Sequence, residues 1–129
     1  IIFERRYNEY AMKGDSRMRK IYLFCSAGMS TSMLASSMQM EADIRDLPIT
    51  VEAFPINQMG DIIKYDRPDC ILLGPQSKHL YKEMLDQFGH EGIPMAVIDS
   101  EAYGMMNGNK VLAMAIKLIQ QKSNKKEES

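Results

Sequence analysis

Cys25-Ser26-Ala27-Gly28-Met29-Ser30-Thr31-Ser32 is the segment of this chain whose residue types could do chemistry together. It sets one thiol at the head of a short, small-residued run that closes on three consecutive hydroxyls. A loop of this kind, leading from the end of a strand into the start of a helix, turns successive backbone N–H groups toward one point. There the positive end of the helix dipole favours a phosphate dianion. Gly28 lets the backbone curl without a Cβ clash, and Ser30, Thr31 and Ser32 add hydroxyl donors. The same helix terminus stabilises a thiolate, so Cys25 is expected to act as a nucleophile at neutral pH. A nucleophile at the mouth of a phosphate cradle implies phosphoryl transfer onto sulfur, which needs a thiol that the donor can reach. A cysteine that ends a buried strand is otherwise an ordinary small core residue. The hydroxyl-rich loop separates the two readings, because it is poor core material.

The elements that must position this segment repeat a simple alternation: a short apolar run, a turn, then a longer stretch with helical spacing. Strands are expected at 20–25, 50–54, 70–73 and 95–98. Cys70-Ile71-Leu72-Leu73 is unbroken apolar, as in a parallel strand covered on both faces, whereas Thr50-Val51-Glu52-Ala53-Phe54 alternates like an edge. Helices are expected from Ser30 to about Arg45, with Met33, Leu34, Met38 and Ile44 inward. A short one runs through Ile62-Ile63 with Asn57 as its cap, another from Ser77 to Phe88 with Gly89 as its C-terminal cap, and a last one from Asn109 to about Gln121. Four strands alternating with helices specify an α/β fold with an open parallel sheet. Ligands of such sheets bind beyond the carboxyl ends of the strands. The loops after Cys25, Phe54, Leu73 and Ile98 therefore define the functional edge.

A chain of 129 residues with 45% hydrophobic side chains fits one domain. Residues 1–19 read as a leader or linker outside it, 20–122 as the domain, and 123–129 as a polar, frayed tail. Sixteen Lys+Arg against seventeen Asp+Glu leave a net charge of -1, which excludes a general nucleic-acid binder. Two cysteines make no disulfide framework and match no zinc spacing, so a reducing, cytoplasmic setting is the default. No apolar run approaches the roughly 20 residues that a bilayer requires.

With these residues the chain resembles the IIB component of the lactose/cellobiose class of the bacterial phosphoenolpyruvate-dependent sugar phosphotransferase system. The likeness rests on IYLFCSAGMSTSML at 21–34, VEAFP at 51–55, ILLGPQ at 71–76, VIDSEAYG at 97–104 and the C-terminal amphipathic helix. It implies a four-stranded parallel sheet of order 2-1-3-4 with helices on both faces, similar to the low-molecular-weight tyrosine phosphatase fold. It also implies a phosphotransferase activity in which Cys25 takes a phosphoryl group from a phosphohistidine of a IIA partner. Cys25 then gives it to a sugar, cellobiose or a related β-glucoside, held by the membrane IIC component. Ser26, Ala27, Gly28, Met29, Ser30, Thr31 and Ser32 would cradle the phosphate, while Pro75, Gln76, Asp99 and Tyr103 would flank it as partner contacts. The resemblance implies no cofactor beyond the covalent phosphate, no metal and no nucleic acid. Its setting would be cytoplasmic, with peripheral membrane association through IIC.

The main rival is a phosphatase, whose loop is spaced C-x5-R-[ST]. Here that spacing gives Cys25, Thr31 and Ser32, and the arginine is missing. Arg would fork onto the equatorial oxygens of the transition state, so its loss disfavours hydrolysis. It suits a carrier, whose phosphocysteine must outlive water. A receiver domain needs an acid at the carboxyl end of its central strand, where this chain has Gly74. Neither G-x-G-x-x-G nor a P-loop motif occurs. Cys70 reads as an inert core thiol at the opposite end of the sheet, and His79 and His90 as surface residues. Of twelve methionines, Met33, Met38, Met84 and Met114 fall at core spacing, while Met29 in the loop is available for docking.

Overall fold

The computed structural model describes residues 17–26 and 29–128. The leader residues 1–16 lie outside the described residues, as do Ala27, Gly28 and Ser129. Strand β1 (Arg19–Cys25) is followed by helix α1 (Met29–Ile44), then strand β2 (Ile49–Pro55), a 3-10 turn (Ile56–Gln58) and helix α2 (Met59–Tyr65). Strand β3 (Cys70–Leu73) leads through a 3-10 segment (Pro75–Leu80) into α3 (Tyr81–Phe88) and a second 3-10 turn (Gly89–Glu91). Strand β4 (Met95–Val97), a short helix α4 (Ser100–Gly104) and the long α5 (Gly108–Glu128) complete the chain. The sheet is parallel throughout with order β2-β1-β3-β4, as expected, so β1 and β3 are central and β2 is an edge.

Alternation along the strands divides the core in two, because successive side chains point to opposite faces. Ile21 and Leu23 of β1 and Cys70 and Leu72 of β3 face α1 and α5, packing with Leu34, Met38, Leu112 and Ile116. Tyr22, Phe24, Ile71 and Leu73 face the other way, toward Met59 and Ile63 of α2. Cys25 continues the odd-numbered row, which delivers its side chain to the face covered by α1.

The buried stripe of α1 is Thr31, Leu34, Ala35, Met38 and Ala42, spaced by three and four. Met33 and Ile44, expected inward, are exposed at 62% and 67%. Met33 precedes Leu34 by about 100° around the helix and Ile44 lies about 200° past Ala42, so neither can share that stripe. Met38 is in the core, and Met84 and Met114 are half-buried against it.

Other boundaries move for local reasons. Arg19, assigned to the leader, already belongs to β1: its N–H donates to the Pro48 carbonyl at 2.8 Å. Asn57 caps no helix, because it sits inside the 3-10 turn and no side-chain bond closes the start of α2. The expected 77–88 helix is split, with Ser77 at non-helical φ/ψ, and Pro75 opening a tighter first segment. Gly89 keeps right-handed geometry, and the left-handed termination falls on Gly92 at φ 78°. Helix α5 starts earlier than expected because Asn107 caps it, its Oδ1 accepting from Lys110 N at 3.0 Å. It also runs to Glu128 through the supposed frayed tail, whose Lys and Glu residues are good helix formers.

Candidate functional site

The site lies where β1 and β3 end side by side. Gly74 N donates to the Phe24 carbonyl at 2.9 Å, which brings the residue after β3 against Cys25. A Cβ on Gly74 would stand 3.4 Å from Cys25 Cβ, 3.3 Å from Thr31 Cγ2 and 2.9 Å from Gln76 Oε1. The missing side chain therefore lets the third strand close on the thiol, and the carboxamide of Gln76 reaches back over Gly74. Thr31 comes from the first turns of α1 and is fully buried, with its Oγ1 3.1 Å from Cys25 Sγ. Cys25, Thr31, Gly74 and Gln76 thus converge from three separate elements.

The thiol is more enclosed than the sequence leads one to expect, since Cys25 is only 4% exposed. Its odd-row position puts the sulfur beneath α1, and Gly74 lies on its flank. Among the described residues beside it, Ser26, Ser32 and Gln76 are exposed. Of the expected cradle, Met29 and Ser30 form the opening of α1, while Ala27 and Gly28 fall outside the described residues.

The remaining residues of the functional edge take other roles. Pro75 opens the 3-10 segment and is half-buried. Asp99 caps α4, its Oδ2 accepting from Ala102 N at 3.0 Å, and lies 3.9 Å from Lys110 Nζ. Tyr103 is packed into the core at 7% exposure, which leaves little of it for a contact surface. What sequence reasoning missed is Gly74 as a spacer. The signal was available: a glycine at the carboxyl end of a buried strand marks a close backbone or side-chain approach.

At the opposite end of the sheet a charged cluster ties β1 to the turn before β3. Lys20 Nζ pairs with Asp66, and Tyr22 O–H donates to the same carboxylate at 2.6 Å. These bonds hold Asp66 below the ordinary carboxylate range, and burial together with Asp66 pushes the Tyr22 phenol up. Asp69 accepts from Lys20 N at 2.8 Å and pairs with Arg17 at 3.2 Å. Cys70 is fully buried there, and desolvation with Asp69 nearby pushes its thiol up to about 12. His79 and His90 are exposed, as expected.

Comparison with known proteins decides the family. The family described as "PTS system, Lactose/Cellobiose specific IIB subunit" matches residues 20–114. The chain belongs to this IIB family. A galactose-specific EIIB component of Lactococcus lactis subsp. cremoris (strain MG1363) is 41% identical over 102 residues, covering 77% of this chain and 94% of the relative. A cellobiose-specific EIIB component of Lactococcus lactis subsp. lactis (strain IL1403) matches with the same identity and coverage. The solution structure of a cellobiose-specific IIB component from Borrelia burgdorferi is 38% identical. It superposes with a TM-score of 0.68, over 81% of this chain and 94% of that one. As a IIB protein the chain is a phosphotransferase component of a sugar uptake system, a class that works with IIA and IIC partners. No helix among the described residues is long and apolar enough to cross a membrane.

Proposed function

We propose that Cys25 is the phosphoryl carrier of this IIB component. Its thiolate attacks the phosphorus of a phosphohistidine on a IIA protein, and the phosphocysteine then delivers the group to a sugar held by a membrane IIC protein. The observation that supports this most is the placement of Cys25 at the carboxyl end of a central strand, 3.1 Å from Thr31 Oγ1 at the start of a 16-residue helix. The N-terminus of that helix favours an arriving anion, and loop amides and hydroxyls at Ser26, Ala27, Gly28, Met29, Ser30 and Ser32 would receive the phosphate oxygens. Thr31 stands where a hydrolase would have arginine. The phosphocysteine is therefore held without the cation that would hasten attack by water.

The covalent phosphate on Cys25 serves in place of a cofactor or metal. The carrier works in the cytoplasm and meets the membrane through IIC, using the edge at Pro75, Gln76 and Asp99 to meet its partners. Cellobiose or a related β-glucoside is the proposed sugar, although relatives named for galactose and for cellobiose are equally identical to this chain. The test is intact mass after incubation with phosphoenolpyruvate, the general phosphotransferase proteins and a IIA. One acid-stable, iodine-labile phosphate is expected. It should be absent from Cys25→Ser, and label persisting in that variant would refute the assignment.

A further inference from the structure

We infer that the Thr31 hydroxyl serves the sulfur of Cys25, rather than the phosphate, and holds the thiolate during transfer. This rests on the reading of Cys25 as the carrier and reassigns one member of the expected cradle. Thr31 Oγ1 lies 3.1 Å from Sγ, with Thr31 fully buried and Cys25 at 4% exposure. A thiol can donate to a hydroxyl. A thiolate has no hydrogen, so once the sulfur ionises the bond between them exists only if Thr31 donates.

The fold sets the hydroxyl there. A β-branched side chain on a helix has few χ1 choices, and the Thr31 methyl lies 3.3 Å from where a Gly74 Cβ would stand. Gly74 thus makes the recess that the methyl occupies, which leaves the hydroxyl on the side of the sulfur. The pairing links the end of β1, the start of α1 and the end of β3 in one contact.

The donated bond acts unequally along the reaction. In acceptance, the sulfur electron pair forms the S–P bond and the P–N bond breaks. The imidazole nitrogen keeps that pair and takes the proton given up by the thiol. In discharge, the S–P bond breaks, its pair returns to sulfur, and the acceptor forms its own bond to phosphorus. The sugar hydroxyl's proton reaches the sulfur only after the thiolate has left, and restores the thiol. Negative charge on sulfur is greatest in the free thiolate and least in phosphocysteine, so a hydrogen bond to sulfur stabilises the leaving group of discharge more than the loaded carrier. Removing a hydrogen bond to an ionised group should slow departure by about tenfold to a hundredfold.

The test uses the full chain as native protein, Thr31→Val, Thr31→Ser and Cys25→Ser, each loaded from a radiolabelled phosphorylated IIA and chased with excess unlabelled, unphosphorylated IIA. Thr31→Val should take label yet return it about tenfold to a hundredfold more slowly. Thr31→Ser should return label at close to the native rate. Native return rates in Thr31→Val, or a Thr31→Ser as slow as Thr31→Val, would overturn the inference while leaving the carrier assignment intact. Label on Cys25→Ser would overturn the carrier assignment itself.

Discussion

Cys25 and Cys70 carry the same group into different surroundings. Cys70 lies at the amino end of β3, fully buried, with its thiol pushed up to about 12 by desolvation and Asp69. Cys25 lies at the carboxyl end of β1, between exposed Ser26 and a helix N-terminus, with a hydroxyl on its sulfur. Alkylation of the folded protein with iodoacetamide at neutral pH should therefore give a single adduct, mapped to Cys25 by peptide mass. A second adduct should appear only after denaturation. Preferential modification of Cys70 would contradict the environments described for both. The candidacy of Cys25 was legible at this scale because thiol, small residues and hydroxyls are contiguous in sequence. Which hydroxyl meets the sulfur was not, since Ser30, Thr31 and Ser32 are chemically near-equivalent until Gly74, more than 40 residues on, fills one side.

Among the elements, α1 and α5 meet closely at Gly108. A Cβ there would come within 2.8 Å of Met38 N and 2.7 Å of the Ser37 carbonyl carbon, as well as against Ser37 Oγ, and backbone cannot swing aside as a side chain can. Gly108→Ala should destabilise the fold by about 1–3 kcal/mol in urea unfolding, because overpacking outweighs the gain in helix propensity. The short helix α4 depends on its cap in the same way. Asp99→Ala removes the acceptor for Ala102 N and should cost about 1 kcal/mol by the same measurement. If Asp99 served only partner contact, stability would be unchanged. Long elements were readable, because repeated spacing marks β1, β3, α1 and α5. Helix α4 was not, since five residues are too few for periodicity and only Asp99 signals it. Residues 77–80 of the 3-10 segment likewise fall inside the helix expected from Ser77, as apolar spacing alone does not register a tighter turn.

Across the whole molecule, function and a share of stability occupy opposite ends of the sheet. The proposed phosphoryl chemistry lies at the carboxyl edge, at Cys25, while Asp66, bonded to Lys20 and Tyr22, fastens the amino edge. Asp66 titrates below its unfolded value of about 4. Its stabilisation is present above that value and is lost as pH falls through the lower, folded value. Asp66→Asn should flatten the fall in thermal midpoint between about pH 5 and pH 2, while phosphorylation of Cys25 at neutral pH continues at the native rate. A steep acid transition persisting in the variant would show that other carboxylates carry the effect.

The class of the fold, the candidate reactive segment and the family likeness were all determined by the sequence alone. Each is encoded in neighbouring residues: apolar runs, helical spacing, and a cysteine joined to a hydroxyl-rich turn. Tertiary structure decided how far the thiol is enclosed, which face of α1 turns inward, and which hydroxyl faces the sulfur. Tyr103 joined the core and Asp99 became a cap for the same reason. These outcomes depend on which elements close against one another across the sheet, and that geometry is set by packing between residues far apart in the chain.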